Sequence, residues 1–90
     1  MNADATKRLK SAKGNHYAAV LTATRGLARA AAHAEWMRSR DMANFTTAEE
    51  RDAADAAARN LATTVALLVL DAPMGTFTDI QVQTAKRTLR

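Results

Sequence analysis

The apolar positions of this chain recur at helical spacing in three segments, with turn-forming residues between them. In the first segment, about residues 16–41, an apolar stripe is centred on Leu27 and has Tyr17 at its edge. The stripe extends toward the amino terminus, so either the helix starts near Thr6 or Gly14–Asn15 interrupts it. The other members of this predicted stripe are Val20, Thr24, Ala31 and Ala34.

A capping box opens the second predicted helix, because Glu50 follows Thr47 by three positions and each side chain can bond the other's backbone amide. The pattern predicts a helix over about 48–71 and places Phe45 against it. Its last turns ("VALLVL") are apolar on every side, so we expect cover from more than one direction. The predicted inward stripe consists of Ala54, Ala57, Ala58, Leu61, Val65 and Leu68.

A third helix is predicted over about 79–89, after a break at Pro73 and Gly75 and a second capping pair, Thr78 with Gln81. Its apolar side covers the end of the second helix. We therefore predict one all-α domain, residues 1–90: a small helical bundle, made of a long antiparallel helical hairpin plus a short third C-terminal helix. Residues 1–15 form a basic amino-terminal segment whose order before binding is open. The apolar side of the third helix comprises Val82, Ala85 and Leu89.

Alanine dominates the apolar content of the chain. Apolar residues make up 48% of the 90 residues, and 22 of them are alanine. Alanine favours helices and lets their backbones approach closely, but each one buries little area. Because a core this thin leaves a small domain only marginally stable, we expect the chain to form a homo-oligomer.

The longest near-apolar stretch, "LATTVALLVL" at 61–70, is too short to cross a bilayer, since it spans about 15 Å as a helix. No apolar run follows the basic residues near the amino terminus, so we expect no secretory signal. The chain has no cysteine, which excludes disulfides and thiolate ligands. We expect a cytoplasmic protein with no membrane partner.

Charge is segregated along the chain. Residues 1–40 carry eight bases and two acids, residues 41–79 carry two bases and seven acids, and residues 80–90 carry three bases, which gives the net charge of +4. Basic ends around an acidic middle suit an anionic partner, or they pair one helix with another.

Catalytic and metal chemistry find little support. His33 and Glu35 match half of a zinc deaminase signature, but that site also needs two cysteines. The acids near residue 50 cluster at a helix amino terminus, where the helix dipole favours them. We expect no enzyme, no metal and no cofactor. A helix-turn-helix over 66–90 is disfavoured because its turn exceeds the usual three or four residues.

The back of the first helix is the more informative feature. Arg25, Arg29, Trp36 and Arg40 fall on one stripe, roughly opposite Leu27. Guanidinium groups bind phosphates or carboxylates, and an indole stacks on bases or anchors a protein interface. The alternative is a second packing face whose arginines pair with acids of the second helix. Two further basic clusters could add phosphate contacts: Lys7, Arg8, Lys10 and Lys13, and Lys86, Arg87 and Arg90.

These features predict a small non-enzymatic binding protein, a regulator or inhibitor that docks through its basic, Trp-bearing helix face. The partner is a nucleic acid or a nucleic-acid-handling protein. Its size and its lack of catalytic groups are compatible with a phage or mobile-element product. The alternative is a structural subunit whose helices mediate homo-oligomerisation.

Overall fold

A computed structural model describes the backbone of residues 3–90 and the side chains of residues 10–90. This part of the chain is all-helical: α1 spans Ala3–Met37, α2 spans Ala48–Asp71 and α3 spans Asp79–Thr88. The bounds of α2 and α3 match the prediction to within one residue. α1 continues through Gly14 and Asn15, so of the two alternatives the structure has the single long helix. It ends at Met37 rather than near residue 41.

Reciprocal side-chain bonds fix where α2 and α3 begin. The Glu50 amide donates to Thr47 Oγ1 at 3.1 Å, and the Thr47 amide donates to Glu50 Oε1 at 3.1 Å. At α3, the Gln81 amide donates to Thr78 Oγ1 at 3.2 Å and the Thr78 amide to Gln81 Oε1 at 2.9 Å. Both predicted capping boxes are confirmed.

Side-chain bonds to backbone carbonyls hold the connection between α1 and α2. The Thr46 hydroxyl donates to the carbonyl of Met37 at 3.3 Å and to that of Met42 at 3.1 Å. Arg51, in the second turn of α2, donates to the Thr46 carbonyl at 2.8 Å. Phe45 is 78% exposed, so the prediction that it packs on α2 is wrong. The neighbouring Thr46 turns inward instead and satisfies carbonyls at the end of α1.

The helices α1 and α2 pack antiparallel, with a contact at each end of the hairpin. Arg38 bonds to Asp55 near the loop, and His16 Nε2 lies 4.0 Å from Asp71 Oδ2 at the far end. The side chains of α1 that are buried or half-buried along this contact recur at alternating steps of four and three. They are His16, Val20, Ala23, Leu27, Ala30, Ala34 and Met37.

Three residues of the predicted α1 stripe are exposed: Tyr17, Thr24 and Ala31. Two helices stay in contact over many turns when their apolar positions repeat every 3.5 residues rather than every 3.6. That repeat places Ala23 and Ala30, not Thr24 and Ala31, against α2. The predicted stripe was therefore correct at its centre and wrong along one edge.

The core lies where α3 folds back on α2. Ala66, Val69 and Ala85 are buried together there. The prediction that α3 covers the apolar end of α2 is confirmed at this contact. Cover on every side is not achieved, because Leu67 and Leu70 remain 53% and 37% exposed. In the predicted α2 stripe Ala57 is exposed. Ala66 and Val69, which the predicted stripe did not include, are buried.

The molecule is a rod of 62 × 22 × 17 Å. α1 has 35 residues and is about 52 Å long, whereas α2 has 24 residues and is about 36 Å long. Because His16 lies beside the last residue of α2, the backbone that precedes it continues past the hairpin.

α2 is long and apolar enough to cross a membrane by length and composition alone. Its most apolar window of 18 residues has a mean hydropathy of 1.3, and 11% of that window is buried within the chain. The core helix of a water-soluble protein meets the same criterion. The expectation that the chain has no membrane partner stays a prediction.

Candidate functional site

The side of α1 that faces away from α2 carries Arg25, Arg29 and Trp36, which we call the outer face of α1. Both arginines are exposed, and Trp36 is 52% exposed. The adjacent Met37 is 7% exposed, so a single step along the helix passes from the hairpin contact to the surface. The indole is therefore not a core residue of the folded chain.

The Trp36 indole stacks on His33, one helical turn earlier, with ring centroids 5.8 Å apart and an interplanar angle of 28°. His33 therefore lies beside the indole on the exposed side of α1. Among residues 10–90, side chains that could ligate a metal do not gather in groups of three or more. His33 and Glu35 thus have no further ligands near them in that part of the chain.

The acids of α2 pair with an arginine that the sequence analysis did not single out. Arg38 Nε donates to Asp55 Oδ2 at 2.9 Å, its Nη2 also bonds Asp55, and Nη2 lies 3.5 Å from Asp52 Oδ1. Within the described side chains, the ion pairs do not include Arg25 or Arg29. The alternative in which acids of α2 neutralise the outer face is therefore wrong.

The ion pair between Arg38 and Asp55 perturbs both groups. The hydrogen bond from Arg38 lowers the pKa of the Asp55 carboxyl below its ordinary value of 3.8. The same bond and the charge of Asp55 raise the pKa of Arg38 above its ordinary value. The pair fastens the end of α1 to the second turn of α2, and this is a structural role.

Arg40 lies beyond the end of α1. α1 ends at Met37, and the chain then turns, with the Ser39 amide bonded to the Trp36 carbonyl at 3.1 Å. Beyond a helix end, spacing no longer fixes direction, so helical periodicity does not align Arg40 with Trp36. Arg40 is an exposed residue of the loop.

The other basic candidates belong to the amino-terminal part of α1 and to the carboxyl-terminal residues of the chain. The side chains of Lys7 and Arg8 lie outside the described residues. Lys10 is exposed, and Lys13 lies at the far end of the hairpin, where its Nζ is 3.5 Å from the position that a Cβ on Gly75 would take. The candidates Lys86 and Arg87, with Arg90, are exposed at the end of α3.

Two polar residues of α3 that a DNA-reading helix could use, Gln81 and Thr84, are engaged within the helix. The Gln81 side chain accepts the Thr78 amide in the capping box. The Thr84 hydroxyl donates to the Ile80 carbonyl at 2.9 Å. α3 folds back along α2 through Ala85. The structure does not favour a helix-turn-helix.

Sequence reasoning missed an uncharged groove between α1 and α3. Thr24 and Leu27 of α1 and Ile80 and Thr84 of α3 form its walls, and Val65 lies in its floor. The alternation of steps of four and three along α1 could have indicated that this side of the helix is separate from the side that faces α2.

No family model, no curated protein and no solved structure matches the chain. The outer face and the groove are therefore interpreted from their own chemistry.

Proposed function

We propose that the protein is a non-enzymatic binding protein that docks through the outer face of α1 on a phosphate-bearing partner, a nucleic acid in the first place. It acts by occupying that partner, as a small regulator or inhibitor does. One observation carries the proposal: a half-exposed Trp36 shares a helix face with two exposed arginines that the acids of α2 do not neutralise.

The chemistry of this face suits a polyanion. Arg25 and Arg29 are one turn apart, about 6 Å along the axis, which is close to the spacing of successive phosphates on a strand. Each guanidinium can bond a phosphate in a bidentate manner. The indole offers a flat apolar surface on which an unpaired base stacks, and such contacts contribute about 1–3 kcal/mol per base.

Trp36 provides the assay, because it is the only tryptophan in the chain. Its fluorescence is followed while single-stranded DNA, duplex DNA and RNA of equal length are titrated at several salt concentrations. The expected result is quenching whose affinity falls as salt rises. In Arg25→Ala/Arg29→Ala, the slope of log affinity against log salt should decrease by about two for each chain that binds, since each phosphate contact contributes nearly one.

The matched control is Arg59→Ala/Asn60→Asp, which lowers the net charge by the same two units at exposed positions of α2, away from the outer face, and should leave most of the slope in place. Poly-glutamate separates a carboxylate-bearing protein target from a nucleic acid. Quenching by poly-glutamate alone transfers the proposal to an acidic protein. No response to any polyanion, or equal losses in both double variants, contradicts the outer face as the site.

The second candidate is an assembly subunit whose helices associate with other copies. The uncharged groove between α1 and α3 favours it, because an exposed apolar groove is typical of an interaction surface.

A further inference from the structure

The groove between α1 and α3 has a volume of about 340 Å³ and is lined entirely by uncharged side chains. Val65 and Val69 of α2 form part of its floor. In the described part of the chain, α3 contacts α2 and not α1, so the three helices leave one side of the bundle open. At one end the groove closes, where Tyr17 stacks on Phe77 with ring centroids 5.9 Å apart.

A second stripe of uncharged side chains on α1 adjoins this groove through Thr24, which lies in the groove wall, and is offset from the residues that face α2. Its members also recur at steps of four and three, carry no charge and are all exposed. The offset between the two stripes is about 100° around the helix, since neighbouring residues differ by that angle. This is close to the angle at which a helix meets two neighbours in a four-helix bundle. We call it the groove stripe: Tyr17, Leu21, Thr24, Ala28 and Ala31.

The chain exposes more surface than a folded monomer of its size. Its accessible area is 6786 Å², whereas a compact monomer of 9.7 kDa exposes about 5,100 Å². A standard protein interface takes about 600–1,000 Å² from each partner, so the surplus is large enough for a stable dimer. Apolar side chains contribute to it beside the groove: Leu21 is 43% exposed and Ile80 is 79% exposed.

We propose that the occupant of the groove is α1 of a second copy of this chain, antiparallel to the first, with the two-fold axis near Thr24. In that register, Tyr17 of one copy meets Ala31 of the other and Leu21 meets Ala28, so each large side chain faces a small one. The partner's α1 fills the open corner beside α1, α2 and α3. The same contact in reverse fills the partner's groove, as an isologous dimer requires.

The absence of charge in the lining of the groove favours α1 of a second copy over a charged peptide as the occupant. A helix rich in acids or bases would lose water from its charges without gaining a counter-charge from the lining. The groove stripe is itself uncharged. The proposal concerns self-association alone and does not depend on the outer face binding a nucleic acid.

Sedimentation equilibrium of the full chain tests the proposal over a wide concentration range. Wild type should have the mass of a dimer. Ala28→Glu places a carboxylate opposite Leu21 of the second copy, where association would remove it from water without a counter-charge. The position is exposed in the monomer, so its helix content by circular dichroism should not change. Its dimer dissociation constant should rise by about tenfold or more. The control Ala18→Glu makes the same change on the outer side of α1 and should stay dimeric.

A cross-link tests the register, because the chain has no cysteine of its own. Thr24→Cys places two thiols at the two-fold axis and should form a disulfide-linked dimer on mild oxidation, whereas Leu67→Cys on α2 should not. The proposal is overturned by a monomer at every concentration or by a dimer that survives Ala28→Glu. Cross-linking through Leu67→Cys alone also overturns it. So does a chain that binds phosphatidylcholine vesicles and does not associate with a second copy.

Discussion

Val69→Ala is the sharpest test of where the core lies. Val69 is 9% exposed and packs between Ala66 and Ala85, where α3 meets α2. Losing two buried methyl groups costs about 1.6 kcal/mol in transfer free energy. The space left behind adds roughly 0.6 kcal/mol, since Val69 borders the open groove and its surroundings relax in part. Alanine's higher helix propensity returns about 0.5 kcal/mol.

The net effect is a loss of about 2 kcal/mol in the free energy of unfolding, which corresponds to a fall in Tm of about 10 °C for a domain of this size. Urea denaturation followed by circular dichroism measures it, with all variants at one protein concentration so that self-association contributes equally. The matched control is Leu67→Ala, two residues earlier in α2, where the side chain is 53% exposed. We expect it to cost under about 0.5 kcal/mol.

Two results would refute this reasoning. If Val69→Ala unfolds at the same urea concentration as wild type, the contact between α2 and α3 is not the core. If Leu67→Ala costs as much as Val69→Ala, the exposed side of α2 is covered in solution, and the association surface lies there rather than at the groove.

Two further changes test local features. Asp55→Asn removes a carboxyl whose pKa in the folded state lies below its ordinary 3.8. Its contribution to stability is therefore present above that pH and is lost as the pH falls through the lowered value. The difference in urea midpoint between wild type and variant should shrink from about pH 6 to about pH 2. The control Asp41→Asn removes an exposed carboxyl of the loop and should unfold at the same urea concentration as wild type. Gly75→Ala places a Cβ on a residue with φ of +83° and should lower the free energy of unfolding by about 1 kcal/mol, measured by thermal unfolding. The control Gly14→Ala, in the regular α1 helix, should stabilise the chain. Equal effects of the two substitutions would contradict the turn geometry.

The helices were predictable because their signals are local. A capping box needs only Thr47 and Glu50, or Thr78 and Gln81, at a spacing of three, and Pro73 with Gly75 stops a helix wherever it occurs. The end of α1 was not predictable in this way. No glycine or proline follows Met37, and the carbonyl there is satisfied by Thr46, nine residues on. That contact forms only once the loop has folded, so Arg40 was placed on a helix that had already ended.

The candidate site was predictable only as far as one helix determines it. The outer face follows from the spacing of Arg25, Arg29 and Trp36 within α1. The register between α1 and α2 determines which acid pairs with which arginine. In this structure it places Asp55 next to Arg38. The groove depends on all three helices at once. Periodicity within one segment assigned Thr24 to the contact with α2, although the path of α3 leaves it at an open edge.

The two proposals are independent in their evidence but linked by symmetry. The two-fold axis between two antiparallel helices that lie side by side is perpendicular to their common plane, so both copies of α2 fall on one side and both outer faces on the other. A dimer through the groove stripe would therefore gather Arg25 and Arg29 of both copies on one surface. The slope of log affinity against log salt would then reflect about four phosphate contacts in wild type and about two in the monomeric Ala28→Glu. A monomeric Ala28→Glu with an unchanged slope would mean that each outer face binds alone, and that self-association and binding are separate properties of the chain.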